Sequence, residues 1–261
     1  MKTIKNLTAD ELRKSILQLA IQGKLVKQDP NDEPASELVK RIYEEKNKLI
    51  AEGKIKKDKN QSYIFKGDDN CYYEKIGNNE PVKLEYLPFD IPDNWMWIRF
   101  PNLVNFNLGK TPERHNDKYW NNGKYFWFSI ADMIDKETIY ASKEKISDIS
   151  FKENFGSKLS PAGTLIMSFK LTVGRVSILG VDALHNEAII SIFPYLENND
   201  SIKNWLFYTL GILVSYVEQT GAIKGNTLNK EKMSSMYIPL PPLGEQQRIV
   251  FKINLLNNII K

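Results

Sequence analysis

Lys110, Thr111 and Arg114 fall within the short run Leu108-Gly109-Lys110-Thr111-Pro112-Glu113-Arg114. A glycine lets the main chain approach a ligand closely, a threonine hydroxyl and neighbouring amides can hold a phosphate oxygen, and an arginine can grip guanine through two acceptors. A second group, Lys170, Thr172 and Arg175, lies in Ser168-Phe169-Lys170-Leu171-Thr172-Val173-Gly174-Arg175-Val176. A strand, a turn and a returning strand would carry these side chains to a groove without disturbing a sheet. Asn186 follows in His185-Asn186-Glu187, as a nucleic-acid contact or as a turn residue bonded to its own backbone. Lys224, Asn226 and Thr227 sit in Gly221-Ala222-Ile223-Lys224-Gly225-Asn226-Thr227-Leu228-Asn229, whose glycines and polar groups suit phosphate docking. For the run Leu108 to Arg114 the alternative is a surface loop whose turns serve only the fold.

Bond-making chemistry finds little support. Neither a G-x-G-x-x-G nor a G-x-x-x-x-G-K-[ST] pattern occurs. Pro241-Pro242-Leu243 lacks the preceding amide and following aromatic of an adenine methyltransferase motif. Glu44-Glu45-Lys46 and Glu52-Gly53-Lys54 have the E-x-K spacing of many nucleases, but they lie on a helix without a suitable upstream Asp, so helix-surface charge is expected. His115, His185 and Cys71 cannot build a familiar structural zinc site. No catalytic residue and no metal ligand is therefore assigned.

Cys71 is the only cysteine of the 261 residues, which excludes an internal disulfide and favours a reducing cytoplasm. Trp205 to Val217, the longest apolar run, is shorter than the roughly 20 residues of a membrane helix and reads as a buried helix. Met1 to Asp10 shows no cleavable signal. The net charge of +4 comes from residues 1–60, with 14 Lys and Arg against 10 Asp and Glu. Any contact with an anionic polymer by the remaining chain must then rest on local placement of cations.

The elements that would position these residues begin with Thr8-Ala9-Asp10-Glu11, a capping box opening a helix over about 8–23. Leu12, Ile16 and Leu19 share one face of it. A second helix is expected over about 35–52, with Leu38, Ile42 and Leu49 on one stripe. That stripe is narrow and suits packing against another long helix. Residues 61–84 read as a linker, and the preceding lysine run Lys54 to Lys59 as solvated charge or phosphate contact. Tyr125 to Ile130, Thr164 to Phe169, Arg175 to Leu179 and Ala188 to Phe193 are strand candidates, and Ile202 to Gln219 a helix candidate. Trp120, Trp127 and Trp205 are expected in the core, because duplex DNA keeps its bases stacked. Three prolines in Pro239-Leu240-Pro241-Pro242 mark a rigid joint, after which Ile249, Ile253, Leu256 and Ile260 line one face of a last helix. That helix is expected to pair with the N-terminal helix or with another subunit.

The joint Tyr237-Ile238-Pro239-Leu240-Pro241-Pro242-Leu243-Gly244-Glu245-Gln246-Gln247-Arg248-Ile249-Val250 resembles the specificity subunit of type I restriction-modification systems. So does Leu12 to Lys57, with Ile16 to Val26 and Asp29-Pro30-Asn31-Asp32-Glu33-Pro34-Ala35-Ser36. Trp95-Met96-Trp97-Ile98 is similar to that family's opening strand of a target recognition domain. The block at Leu108, with Tyr119 to Gly123 and Trp127, is similar to its first recognisable motif, although Lys110 stands where a second glycine is common. The resemblance implies an α/β (mixed α+β) target recognition domain with projecting long helices that pack as a coiled-coil-like pair. Its parts would be a helical arm over 1–60, the linker 61–84, the recognition domain 85–241 and the start of a conserved helix over 242–261.

It further implies sequence-specific binding of double-stranded DNA at one half of a bipartite site. The chain would then position methyltransferase and restriction subunits and could self-associate as a homodimer, with no membrane involved. S-adenosylmethionine, ATP and Mg would belong to the partner subunits, with no cofactor in this chain. Two alternatives stay open: a protein-interaction module or silent cassette without DNA reading, and the recognition portion of a fused methyltransferase-nuclease.

Overall fold

The computed structural model describes residues 7–57, 61–170, 172–197, 199–219 and 230–260. Along the chain run α1 (Ala9–Ile21), α2 (Ala35–Ala51), β1 (Ser62–Lys66), β2 (Tyr72–Ile76), β3 (Val82–Lys83), β4 (Met96–Arg99) and α3 (Phe100–Leu103). There follow β5 (Val104–Leu108), α4 (Asp117–Trp120), β6 (Tyr125–Phe128), β7 (Glu137–Ile139), β8 (Glu144–Ile146), α5 (Asp148–Phe155), β9 (Leu165–Ser168), β10 (Val176–Leu179), β11 (Leu184–His185) and β12 (Ile189–Pro194). The last elements are α6 (Ser201–Gln219), α7 (Lys230–Ser235), β13 (Tyr237–Leu240) and α8 (Leu243–Ile259). The architecture is mixed α/β. It divides into one compact unit of Met1–Leu103, Pro194–Tyr216 and Met233–Lys261, and another of Val104–Phe193 and Val217–Lys232. The boundaries differ from a recognition domain over 85–241, because β4 pairs antiparallel with β13 and draws both flanks of that segment into the helical unit.

In the helical unit, α1 starts at the expected capping box: the Thr8 hydroxyl accepts from the Glu11 amide and the Glu11 carboxylate accepts from the Thr8 amide. Ala20 and Ile21 are fully buried at its end. Gly23 follows with φ +67°, and a Cβ there would stand 2.4 Å from Pro92 Cγ, so a side chain would both strain the backbone and collide with the packing. α1 contacts α8. The Arg13 guanidinium donates to the Ile260 carbonyl at 2.9 Å. Ile249 and Ile253 of α8 are buried, whereas Leu12, Ile16, Leu256 and Ile260 are partly covered and Leu19 is exposed.

The stripe of α2 packs on a strand and a short helix where another long helix is expected. Leu38, Val39 and Ile42 are buried, Leu49 is partly buried, and α2 packs on β4 and α3 of its own chain. Lys46 extends that stripe as a fully buried cation: its ammonium donates to Pro101 O at 3.0 Å and Asn102 Oδ1 at 2.8 Å, and it lies 5.3 Å from the Tyr195 ring centroid. A polar residue at a helix-face position was covered because a specific acceptor pair awaited it.

The segment 61–84 carries a sheet where a linker was expected. β1, β2 and β3 form an antiparallel meander. Tyr63, Phe65 and Tyr73 stack in series and Tyr43 meets Tyr63 at a tilt, with successive ring centroids about 6 Å apart. Glu74 of β2 receives a bidentate pair from Arg99 of β4, at 2.8 and 2.5 Å, and the same guanidinium lies over the Tyr237 ring of β13. Charged and aromatic residues give the segment a polar composition, yet cross-strand pairing consumes them.

β13 holds Pro239 opposite Trp97 in a two-stranded sheet, where the missing amide costs nothing. The Trp205 indole donates to Pro239 O at 3.0 Å and packs edge-on against Trp95. α6 matches the expected helix and buries Trp205, Leu206, Leu210, Leu213 and Val214. Immediately after the prolines, Glu245 is fully buried and accepts from the Trp95 indole at 2.8 Å and the Gln28 amide at 2.6 Å. Burial lifts its carboxyl above the ordinary value, while those donors and Arg248 work against the rise. One turn on, Arg248 grips Asp32 through both oxygens at 3.0 and 2.5 Å.

In the other unit, one sheet has the order β5-β12-β9-β10-β7, antiparallel across β12, β9 and β10 and parallel between β10 and β7. A smaller sheet has the order β11-β6-β8. Phe128, Ile139, Ile166, Leu179 and Ile189 form one core cluster, and Trp127, Ile146 and Leu184 another. The four strand candidates appear as β6, β9, β10 and β12, shifted by one or two residues at their ends.

Glu245→Ala leaves the buried Trp95 indole without its acceptor. The expected loss is about 1 to 3 kcal/mol of folding stability, read from the urea unfolding midpoint of the whole chain. An unchanged midpoint would remove the carboxylate from the contacts that hold this unit.

Candidate nucleic-acid interface

Beyond β5 the chain crosses the turn between β11 and β12 at very short range. Gly109 N donates to Ile189 O at 3.2 Å and Lys110 N to His185 O at 3.0 Å. A Cβ on Gly109 would lie 2.1 Å from His185 O and 2.2 Å from Asn186 O, so any larger residue would push two backbones apart. The Lys110 carbonyl accepts from the Trp127 indole at 3.0 Å. Both main-chain polar groups of Lys110 are thereby fixed while its side chain is exposed. Its φ is not positive, so this position accommodates a lysine in place of a second glycine.

Arg114 lies on two tryptophans. Its guanidinium stands 4.2 Å from the Trp120 ring centroid and 4.7 Å from that of Trp127, and the two rings meet edge to face. Nη1 donates to Glu144 Oε1 at 2.6 Å. The pair is about half exposed, so its worth lies in orientation more than in stability. Trp127 is core, as expected, and Trp120 is half-buried with its indole donating to Glu113 O at 3.0 Å.

Glu187 joins the two sequence blocks. Its carboxylate accepts from the Thr111 hydroxyl. Burial pushes the carboxyl up, but the Thr111 bond, its own amide and the positive fields of Lys170 and Arg114 outweigh this, and it sits below its usual value. Thr111, Arg114, Lys170 and the Asn186-Glu187 turn are thus brought into one electrostatic neighbourhood, with Lys110 adjoining. Asn186 caps its own turn: Oδ1 accepts from the Ala188 amide at 3.1 Å.

Other expected contacts lie elsewhere. The Arg175 guanidinium is turned onto the main chain, donating from Nη1 to Ile130 O and Met133 O at 3.2 Å each. This ties the β9–β10 turn to the short 3-10 turn Ile130–Asp132. Thr172 is exposed, and its carbonyl accepts from the Ser168 hydroxyl. Lys224, Asn226 and Thr227 fall outside the described residues. Glu144 and Glu187 went unnoticed in the sequence because their partners are 30 and 76 residues away.

Beneath the crossing lies a closed polar chain. His185 is buried, its Nδ1 faces Asn186 O at 3.2 Å and its Nε2 faces Ser191 Oγ at 2.5 Å. A carbonyl can only accept, so Nδ1 carries the proton and Nε2 accepts from Ser191, whose oxygen then accepts from Ser160 at 2.7 Å. Burial lowers the imidazole to a pKa of about 4.

The mixed α/β unit carries Lys110, Arg114 and Lys170 on the loops and turns between its strands. The chain belongs to the type I restriction modification DNA specificity domain family, whose model matches residues 92–261. The EcoEI specificity subunit of Escherichia coli, a type I restriction enzyme component, is 30% identical over 259 residues, covering 94% of this chain and 39% of its own length. The EcoAI specificity subunit of Escherichia coli is 46% identical over 102 residues, 39% of this chain and 14% of that protein. The chain therefore spans well under half the length of these relatives. Among solved structures, the HsdS subunit from Thermoanaerobacter tengcongensis is 21% identical, with a TM-score of 0.48 over 67% of this chain and 40% of that one. The family assignment stands on the sequence matches.

His185 should make the stability of its unit pH-dependent. Its folded pKa is below its unfolded value of about 6.5, so the unfolded state takes up the proton first; the neutral network is fully present above about pH 6.5 and is lost as pH falls toward 4. The expected loss over that window is at most on the order of 3 kcal/mol. Urea melts at pH 7.5 and 5.0 should separate by this group in the wild type and converge in His185→Gln; equal separation in both would refute it.

Proposed function

We propose that this chain is a DNA-reading specificity element of a type I restriction-modification system, recognising one half of a bipartite duplex site. The observation that carries the reading is the bond from Thr111 to Glu187, 76 residues apart, within the electrostatic reach of Lys170 and Arg114, in a family of DNA specificity domains. Cations on a loop edge can follow phosphates while a fixed arginine meets base edges. Lys110 and Lys170, exposed or half-exposed on flexible stems, suit phosphate contact; Arg175, bonded to carbonyls, suits support of the turn. Thr172, Asn186, Lys224, Asn226 and Thr227 complete the proposed contact set.

On this reading the chain is not itself an enzyme. It positions methyltransferase subunits, which hold S-adenosylmethionine and turn out the target base, and restriction subunits that use ATP and Mg. Helices set the separation of half-sites. The contact between α1 and α8 supports the coiled-coil-like part of that geometry. Phe251, Leu255 and Ile259, exposed at four-residue spacing on α8, support pairing with a further helix, including that of a second copy of this chain in a homodimer. A cytoplasmic location follows from the DNA substrate; among the described residues no helix is long and apolar enough to cross a membrane.

Selection from random-sequence duplexes with the full chain, alone and with its methyltransferase subunits, should enrich one base pattern. Lys110→Ala and Lys170→Ala should each weaken binding to all duplexes alike and reduce the salt slope by about 1. A chain that enriches no sequence in either setting would overturn the reading.

A further inference from the structure

We infer that Arg114 and Glu187 act as a donor and acceptor couple on base edges in the major groove, Arg114 gripping guanine and Glu187 accepting from the exocyclic amino group of cytosine or adenine. The inference rests on the DNA-reading proposal and assigns within it the two side chains that discriminate sequence.

Arg114 is set up as a fork. The guanidinium lies 4.2 Å from the Trp120 ring centroid and 4.7 Å from that of Trp127, and Glu144 takes Nη1, so rings and carboxylate together restrain its position. The Nε and Nη2 edge is left to meet two acceptors, and guanine offers O6 and N7 in that arrangement. A lysine would carry the same charge without the plane. Among the described residues Lys110 and Lys170 have no such cradle of two rings and a carboxylate, Lys170 lying only 5.6 Å from the Phe169 ring, and this difference separates a base reader from phosphate contacts.

Glu187 is the less expected partner. An exposed carboxylate on a surface that approaches a polyanion is repelled by every phosphate, and a phosphate has no proton to give it. Cytosine N4 and adenine N6 are the groups in the major groove that donate. The carboxylate is held ready for them: Thr111 donates to it, and Lys170 and Arg114 keep it ionised and hence acceptor-only. The same two cations that would contact DNA offset its charge, so it can remain at the interface without dispersing the neighbouring phosphates.

The test uses the full chain and the site selected from random duplexes. Arg114→Lys should leave affinity for non-specific duplex within about threefold but lower the specific-to-non-specific ratio about ten- to a hundredfold, with the preference for guanine lost at one position. Glu187→Gln should relax a second position, and the base relaxed there distinguishes cytosine from adenine. Replacing the guanine by 7-deazaguanine removes N7 without touching the protein; it should weaken wild-type binding about tenfold and Arg114→Lys by less than about twofold. On the wild type alone this DNA arm shows whether a guanine N7 is read, even if a variant fails to fold, and indifference at every guanine rules out the arginine's role. Retention of wild-type preferences by folded variants, or indifference to 7-deazaguanine at every guanine, overturns the inference while leaving the chain a DNA reader. Failure of the wild type to select any sequence removes both.

Discussion

A carboxylate withdrawn from water must be met by donors, and Glu245 is met by two that come from distant parts of the chain. The Trp95 indole brings the start of β4 and the Gln28 amide brings the turn between α1 and α2. Arg248 and Asp32 repeat the connection one helical turn later. The prolines before α8 leave the chain few conformations, so these bonds are made by groups already aimed at one another. The consequence is a unit in which residues near both ends of the chain share one core. Trp95 and Trp205 pack within it, and β4 finds β13 although 140 residues separate Trp97 from Tyr237 and its neighbours.

The same principle operates in the other unit on a smaller scale. Gly109 allows two main chains to approach until their amides and carbonyls bond directly. That contact fixes the distance between the loop bearing Lys110 to Arg114 and the turn bearing Asn186 and Glu187. In the chain His185, Ser191 and Ser160 below, the polar side chains bond to one another within the protein, which makes the support neutral. Above it the charges are arranged differently: half-exposed, mutually oriented and open to a ligand. A neutral floor with half-exposed, mutually oriented charges on its rim keeps the rim's spacing when a charged ligand's field arrives.

Much of this was legible beforehand wherever the signal was local. The capping box at Thr8 and Glu11, the stop at Gly23, the run that becomes α6 and the strands β6, β9, β10 and β12 depend on a few consecutive residues and on periodicity. The segment 61–84 was misjudged because a sheet stabilised by a Glu74–Arg99 pair and a series of aromatic rings has the composition of a solvated connection until its partners are known. α2 was misjudged for a related reason. Its amphipathic stripe requires burial but does not name the surface that buries it, and β4 with α3 supplies that surface from the same chain.

The amino-acid sequence by itself determined the kinds of residue available for recognition, the family they belong to and the local elements that carry them, because caps, turns and apolar periods act over a few residues. Tertiary structure alone decided what surrounds each cation. Arg175 and Arg114 are equivalent as letters; one is tied to Ile130 and Met133 carbonyls, the other lies beside two tryptophans and a carboxylate and is about half exposed. The physical reason is that a guanidinium's role is set by the acceptors and rings within a few ångströms of it, and those arrive from strands and turns that only folding brings near.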